Sequence, residues 1–189
     1  MSSNKRIHVY GHVSAQPQAI ANLFGAELAG EVEAESDLAI FAINPAAGID
    51  QRTIDQWQAL SEFQLPRLVV VNELDGSDAD FEDAIMLANR VFDQLVTPYL
   101  VLHSDSGSPI ALISLSDLQI IDYSTTPPTT SQSEIEHQEL VADFREEYLE
   151  EVSAAGDEAF IAGLLFPAIP IVISNGLGID VVKSFIAQI

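Results

Sequence analysis

Asn72 and Asp75 follow directly on Leu68–Val71, a run of four apolar residues of which three are β-branched. Such a run suits a strand buried on both faces, as in a parallel sheet. Polar groups just past the carboxyl end of such a strand stand where open α/β sheets bind ligands. The plainer reading is a strand end whose polar residues begin a turn at Asp75-Gly76. Ser174-Asn175-Gly176 closes a later apolar run, and Gly11-His12-Val13 follows the first one. His8, His12, His103 and His137 are scattered along the chain, so they form no metal-ligand spacing. With Cys 0, thiol chemistry, cysteine metal sites and disulfides are excluded.

The elements that must position these groups follow from periodicity. Ile7 to Tyr10 reads as a short strand. Ala19, Ile20, Leu23, Phe24 and Leu28 then fall at helical spacing, with Pro17 in the first turn and Gly30 closing the helix. Leu38 to Ile43 is a second buried strand, and Asn44 to Gly48 a turn. Ile54, Trp57, Leu60 and Phe63 trace a helix that Pro66 ends, with Trp57 as core. After the Leu68 strand, Ser77 and Asp80 give a capping signature. Phe81, Ile85, Ala88, Phe92 and Leu95 predict the next helix. Tyr99 to His103, Pro109 to Ser114 and Leu118 to Tyr123 then read as an antiparallel meander. Residues 124–133 are a flexible connector in composition. Ser133 and Glu136 form a capping box, and Leu140, Val141, Phe144, Tyr148 and Val152 line one helix face. The glutamates on the opposite face are a solvated surface. A short helix over Asp157 to Leu165, a buried strand over Ile169 to Ile173 and a helix carrying Ile179, Val182, Phe185, Ile186 and Ile189 complete the chain. This order predicts an α/β fold, a three-layer and mostly parallel sheet with a small α+β insertion. Residues 1–103 and 166–189 make the core and residues 104–165 the insertion.

Charge narrows the function classes. Lys+Arg is 7 against Asp+Glu 29, a formal net charge of -22. Such a surface repels phosphate backbones, so direct nucleic-acid or anionic-membrane binding is not expected. A basic protein partner fits, although solubility or adaptation to salt explains the charge more simply. The hydrophobic share of 48% excludes a disordered chain as a whole. No apolar stretch reaches membrane-spanning length, and the apolar run after the polar first residues is too short for a signal peptide. A cytoplasmic location is therefore expected.

From Leu38 onward the chain resembles the G domain of elongation factor G, a translational GTPase. Gly48-Ile49-Asp50-Gln51-Arg52-Thr53-Ile54 is similar to the family's G-V-x-x-Q-T segment. Pro66-Arg67-Leu68-Val69-Val70-Val71-Asn72-Glu73-Leu74-Asp75 is similar to its P-R-I-x-F-x-N-K-M-D, and Asp78-Ala79-Asp80-Phe81 to its G-A-D-F. Ile110 to Ile121 resembles the hairpin of the family's inserted subdomain, and Phe144 to Ala159 the helix that follows it. Ile171 to Asp180 resembles the segment that carries the S-A loop. The matches are collinear to Ile189.

The resemblance implies a sheet of P-loop GTPase type, truncated at one edge. It places Asn72, Asp75 and Ser174 as guanine contacts, because guanine offers a carboxylate paired N–H donors. It places Gly11 at the first glycine of a remnant phosphate loop. That loop needs a second glycine, a lysine and a hydroxyl, and here Gln16, Pro17 and Gln18 stand in those places. There is no room between Gly30 and Leu38 for the first switch or the D-x-x-G strand. Glu73 replaces the lysine that covers the base. A second alignment would put His12 on the family's P-G-H-V histidine, but it deletes a strand from the middle of the sheet. The expectation is a catalytically inactive GTPase-like module with no catalytic residue and no metal, used for binding or scaffolding. The alternative is weak, Mg²⁺-independent binding of GDP or GTP. A ribosome- or translation-associated protein is the implied partner, and an open edge near Ile7 offers pairing to a second copy.

Overall fold

A computed structural model describes residues 4–76 and 79–189. The elements run β1 (Ile7–Gly11), α1 (Pro17–Phe24), β2 (Glu27–Leu28), β3 (Leu38–Ile43), α2 (Gln51–Ser61), β4 (Arg67–Val71), α3 (Phe81–Val91) and β5 (Leu95–Val96). They continue with β6 (Tyr99–His103), β7 (Pro109–Ser114), β8 (Gln119–Asp122), β9 (Thr129–Gln132), α4 (Ile135–Leu140), α5 (Ala142–Ala155), β10 (Phe166–Pro170) and α6 (Ile179–Gln188). A six-stranded sheet has the order β2-β1-β3-β4-β10-β5, and every pairing in it is parallel. A separate antiparallel sheet has the order β6-β7-β8-β9. Strand β6, on the core side of the sequence boundary at 104, is the first strand of this second sheet.

Every residue of β3, β4 and β10 is buried. This is why these strands read as continuous apolar runs and not as alternations. The sheet packs on Trp57, which stacks on Phe92 at 4.3 Å and meets Phe41 edge-on at 4.9 Å. Arg67 is sandwiched in this core, its guanidinium 4.3 Å from the ring centres of both Trp57 and Phe166. Burial pushes its pKa down and Asp93, 3.6 Å away, opposes the shift.

Several expectations are corrected. Gly25, in the left-handed region, closes α1, so Leu28 leaves the helix and enters β2. That short strand pairs with His8 and Val9 and covers the edge near Ile7 that was expected to be open. Ser77 and Asp78 lie outside the described residues. The capping box of α3 is made by Asp80 and Asp83. Residues 129–132 of the expected connector form β9, because backbone pairing to β8 asks for no apolar side chains. The Ser133–Glu136 box is replaced: Glu134 is the cap of α4, and Gln138 bonds the Ser133 carbonyl and hydroxyl. The helix expected through Leu140 and Val152 breaks at Val141, which turns into the core while Leu140 stays exposed. Residues 157–165 are a series of turns. The last strand is Phe166–Pro170, earlier than its apolar pattern suggested, because Val172 is drawn into a bridge with Leu177 and Ile173 faces out.

Candidate functional site

The carboxyl ends of β1, β3, β4 and β10 lie together, and the predicted site residues are at these ends. Ser174 and Asp75, separated by almost a hundred residues, meet: the Ser174 hydroxyl donates to Asp75 Oδ2 at 2.9 Å. Both are exposed. The serine loop is firmly placed. Val172 bridges Leu177, Asn175 donates to the Pro109 carbonyl at 3.0 Å, and the Leu177 amide donates to Asn175 Oδ1 at 3.0 Å. Asn175 thus ties the loop to the second sheet, as does Tyr123, whose hydroxyl donates to Asp180 at 2.5 Å. Burial, reinforced by the Asp180 bond, pushes the Tyr123 phenol far upward.

Asn72 faces the other way. It is buried, and its side chain donates to the Ala15 carbonyl at 3.0 Å. Asn44, at the end of β3, donates to the neighbouring Ser14 carbonyl at 2.9 Å. Asn44 was read from the sequence only as part of a turn. Two asparagines at successive strand ends therefore pin the 12–16 loop to the sheet through its carbonyls.

Within that loop the amides are also engaged. The Ser14 amide donates to His12 Nδ1 at 3.2 Å, Ala15 to the His12 carbonyl at 3.0 Å, and Gln16 to the Val13 carbonyl at 3.0 Å. Pro17 has no amide proton to give. His12 is therefore the cap of a tight 3₁₀ turn, and Gln16 enters the left-handed region at φ 53° to leave it. A phosphate cradle needs free backbone N–H groups pointing outward, and the amides of residues 14–16 are committed to the turn. Gly11 is required for a close approach. At φ 150° a Cβ there would lie 2.6 Å from the Ala42 carbonyl oxygen. Glu73, at φ 63°, accepts a hydrogen bond from Gln16 Nε2, which brings a carboxylate back over this loop.

No protein-family model matches the chain. An elongation factor G-like protein of Mycobacterium tuberculosis is 29% identical over 177 residues, covering 81% of this chain and 24% of its own length. The chain is similar to elongation factor G-like proteins. Mitochondrial ribosome-releasing factor 2 of Drosophila persimilis is 24% identical over 130 residues, covering 65% of this chain and 17% of its own. A crystal structure from Thermus thermophilus superposes with a TM-score of 0.72 at 21% identity, over 82% of this chain and 26% of that one. It shares the fold. The chain thus spans about a quarter of the length of the first curated relative it matches, 24%.

Proposed function

We propose that this chain is a catalytically inactive GTPase-like module that works by binding. The observation that carries the reading is the closed 12–16 loop, whose Ser14, Ala15 and Gln16 amides are used internally and whose next residue is a proline. Phosphoryl transfer depends on positioning and on compensating charge at the phosphates. Here Gln16, Pro17 and Gln18 occupy the places of glycine, lysine and hydroxyl, and Glu73 adds negative charge beside them. The position of β1, inside the sheet between β2 and β3, favours the alignment that puts Gly11 on the phosphate loop. On this reading the sheet is a P-loop GTPase sheet cut short at the β2 edge. The expected result is no GTP turnover above a protein-free blank. Turnover that stays with the chain through purification and is abolished by Asp75→Ala overturns the proposal.

A second reading is favoured by the Asp75–Ser174 pair. A carboxylate has room for several donors, so Asp75 can hold one bond from Ser174 and still accept the paired N–H groups of guanine. Asn72 would serve by holding the loop beneath. This site binds base and not phosphate, so guanosine, GDP and GTP bind alike and without Mg²⁺. Calorimetry with the three ligands decides it, and no heat at millimolar ligand ends the idea. Given the named relatives, the place of action we propose is a cytoplasmic translation complex reached through a protein contact. Co-sedimentation with ribosomes checks that, and the acidic surface argues against direct contact with RNA.

A further inference from the structure

The cleft between α3 and α5 holds a cavity of about 450 Å³, and neither the 12–16 loop nor Asn72, Asp75 or Ser174 lines it. Its floor is apolar: Phe81, Leu95 and Leu100 line it and are buried. Its walls are Met86 on α3 and Phe144 on α5, both exposed, and Tyr148 is half-buried one turn beyond Phe144. Spacing explains the α5 wall. Phe144, Glu147, Tyr148 and Glu151 follow one another at three- and four-residue steps, so they share one face of the helix. The sequence pattern placed Glu147 and Glu151 on a solvated face opposite Phe144, and the structure places them beside it.

The charge around this apolar floor is one-sided. Glu82 from α3 and Glu147 and Glu151 from α5 line the cavity against a single cation, Arg90. Among the described residues no ion pair joins any of these four. Burial raises the pKa of both Glu82 and Glu151, and Arg90 eases neither. A carboxylate set against apolar side chains without a counter-charge gains by receiving a cation. The rings of Phe81, Phe144 and Tyr148 favour the same guest, since a cation is attracted to an aromatic face.

We propose that this cavity binds a small organic ammonium with an apolar body. Glu147 and Glu151, one turn apart on α5, hold the ammonium, and Glu82 adds negative charge from α3. The body of the ligand lies on Phe81, Leu100 and Phe144. The volume is that of small-molecule sites, where apolar walls supply most of the contact and a few polar groups fix orientation. A protein partner fits less well. Met86 and Phe144 are the exposed large apolar side chains of this lining, far short of the surface a stable protein interface buries. The net charge of -22 draws cations to the whole surface, so the test must separate this cavity from that general attraction.

The test is an NMR titration of the full chain with phenethylamine, read at the methyl group of Met86, one of two methionines in the chain. Methylammonium supplies the charge without the body, and 2-phenylethanol the body without the charge. The expected result is a saturable Met86 shift with phenethylamine, at an affinity at least about tenfold above either control. Glu147→Gln and Glu151→Gln each weaken it by about tenfold. Glu146→Gln, on α5 but outside the cavity, leaves it unchanged. These are changes at solvent-reaching side chains, so the variants keep the fold. Equal affinity for phenethylamine and methylammonium, or equal weakening by Glu146→Gln and Glu151→Gln, means diffuse attraction to an acidic surface and overturns the proposal. A blocked Gly-Lys-Gly tripeptide that binds more tightly than phenethylamine gives the cavity to a protein side chain and overturns it as well.

Discussion

Asn44 and Asn72 end neighbouring strands and hold adjacent carbonyls of one loop, yet they are not equivalent. Asn72 is 2% exposed, so removing its amide leaves the Ala15 carbonyl without a bond and without water. Asn72→Ala should therefore cost about 1–3 kcal/mol. Asn44 is only half-buried, and water can replace its bond to Ser14, so Asn44→Ala should cost less. Urea unfolding of the two variants measures the difference, and equal costs would show that burial does not govern the loop's attachment. Asn72 was visible in the sequence as a polar residue at a strand end. Its partner was not, because Ala15 lies far away in the chain and offers only a carbonyl. Glu73 was read from the resemblance as standing in the place of a lysine; its bond to Gln16 depends on a backbone turn that no spacing rule reveals.

Among the elements, the join of β10 to α6 decides where Ser174 stands. Gly178 caps α6 at φ 77°, and a Cβ there would lie 1.9 Å from the Pro170 carbonyl oxygen. Gly178→Ala should destabilise the chain by about 2–4 kcal/mol, since backbone strain and a backbone clash add. Denaturant unfolding should show this, with a lowered midpoint and an unchanged slope. A midpoint equal to that of the parent would mean the loop can move, and with it the Ser174–Asp75 bond. The strands β3 and β4 were legible to the residue or nearly so, because burial on both faces writes a continuous apolar run. Strand β9 was missed for the opposite reason: all its residues are exposed, and it exists through backbone pairing to β8. The turns at 157–165 and the break at Val141 were missed because helical spacing continued where local hydrogen bonding did not.

At the scale of the whole molecule, the excess of carboxylates sets the response to pH and salt. Burial raises the pKa of Glu82, helped by Asp80 and Asp83 and opposed by His103. Burial also raises that of Glu151, helped by Glu147 and Glu150. A carboxylate raised in the folded state opposes folding while it is charged. That opposition is lifted as pH falls through its folded pKa towards the unfolded one. Asp37, lowered chiefly by the Arg6 amide, and Asp122, lowered by the Ser124 hydroxyl and amide, work in the other sense. Their contribution is present above the unfolded pKa and is lost as pH falls through their lower folded values. The melting temperature should therefore rise from neutral pH to roughly pH 5 and fall below about pH 4. Added salt should raise it most at neutral pH, where repulsion is greatest. Scanning calorimetry across pH and salt checks both, and a melting temperature that falls steadily from neutral pH would contradict the first.

By itself the sequence determined the alternation of strands and helices, the buried central strands, the acidic surface and the likeness to elongation factor G. These are local periodicity, composition and collinear motifs. Only the tertiary structure decided how the 12–16 loop spends its amides, which carbonyls Asn44 and Asn72 meet, and that Asp75 meets Ser174. Each of these depends on pairs of groups far apart in the chain, brought within hydrogen-bond reach by the register of the parallel sheet.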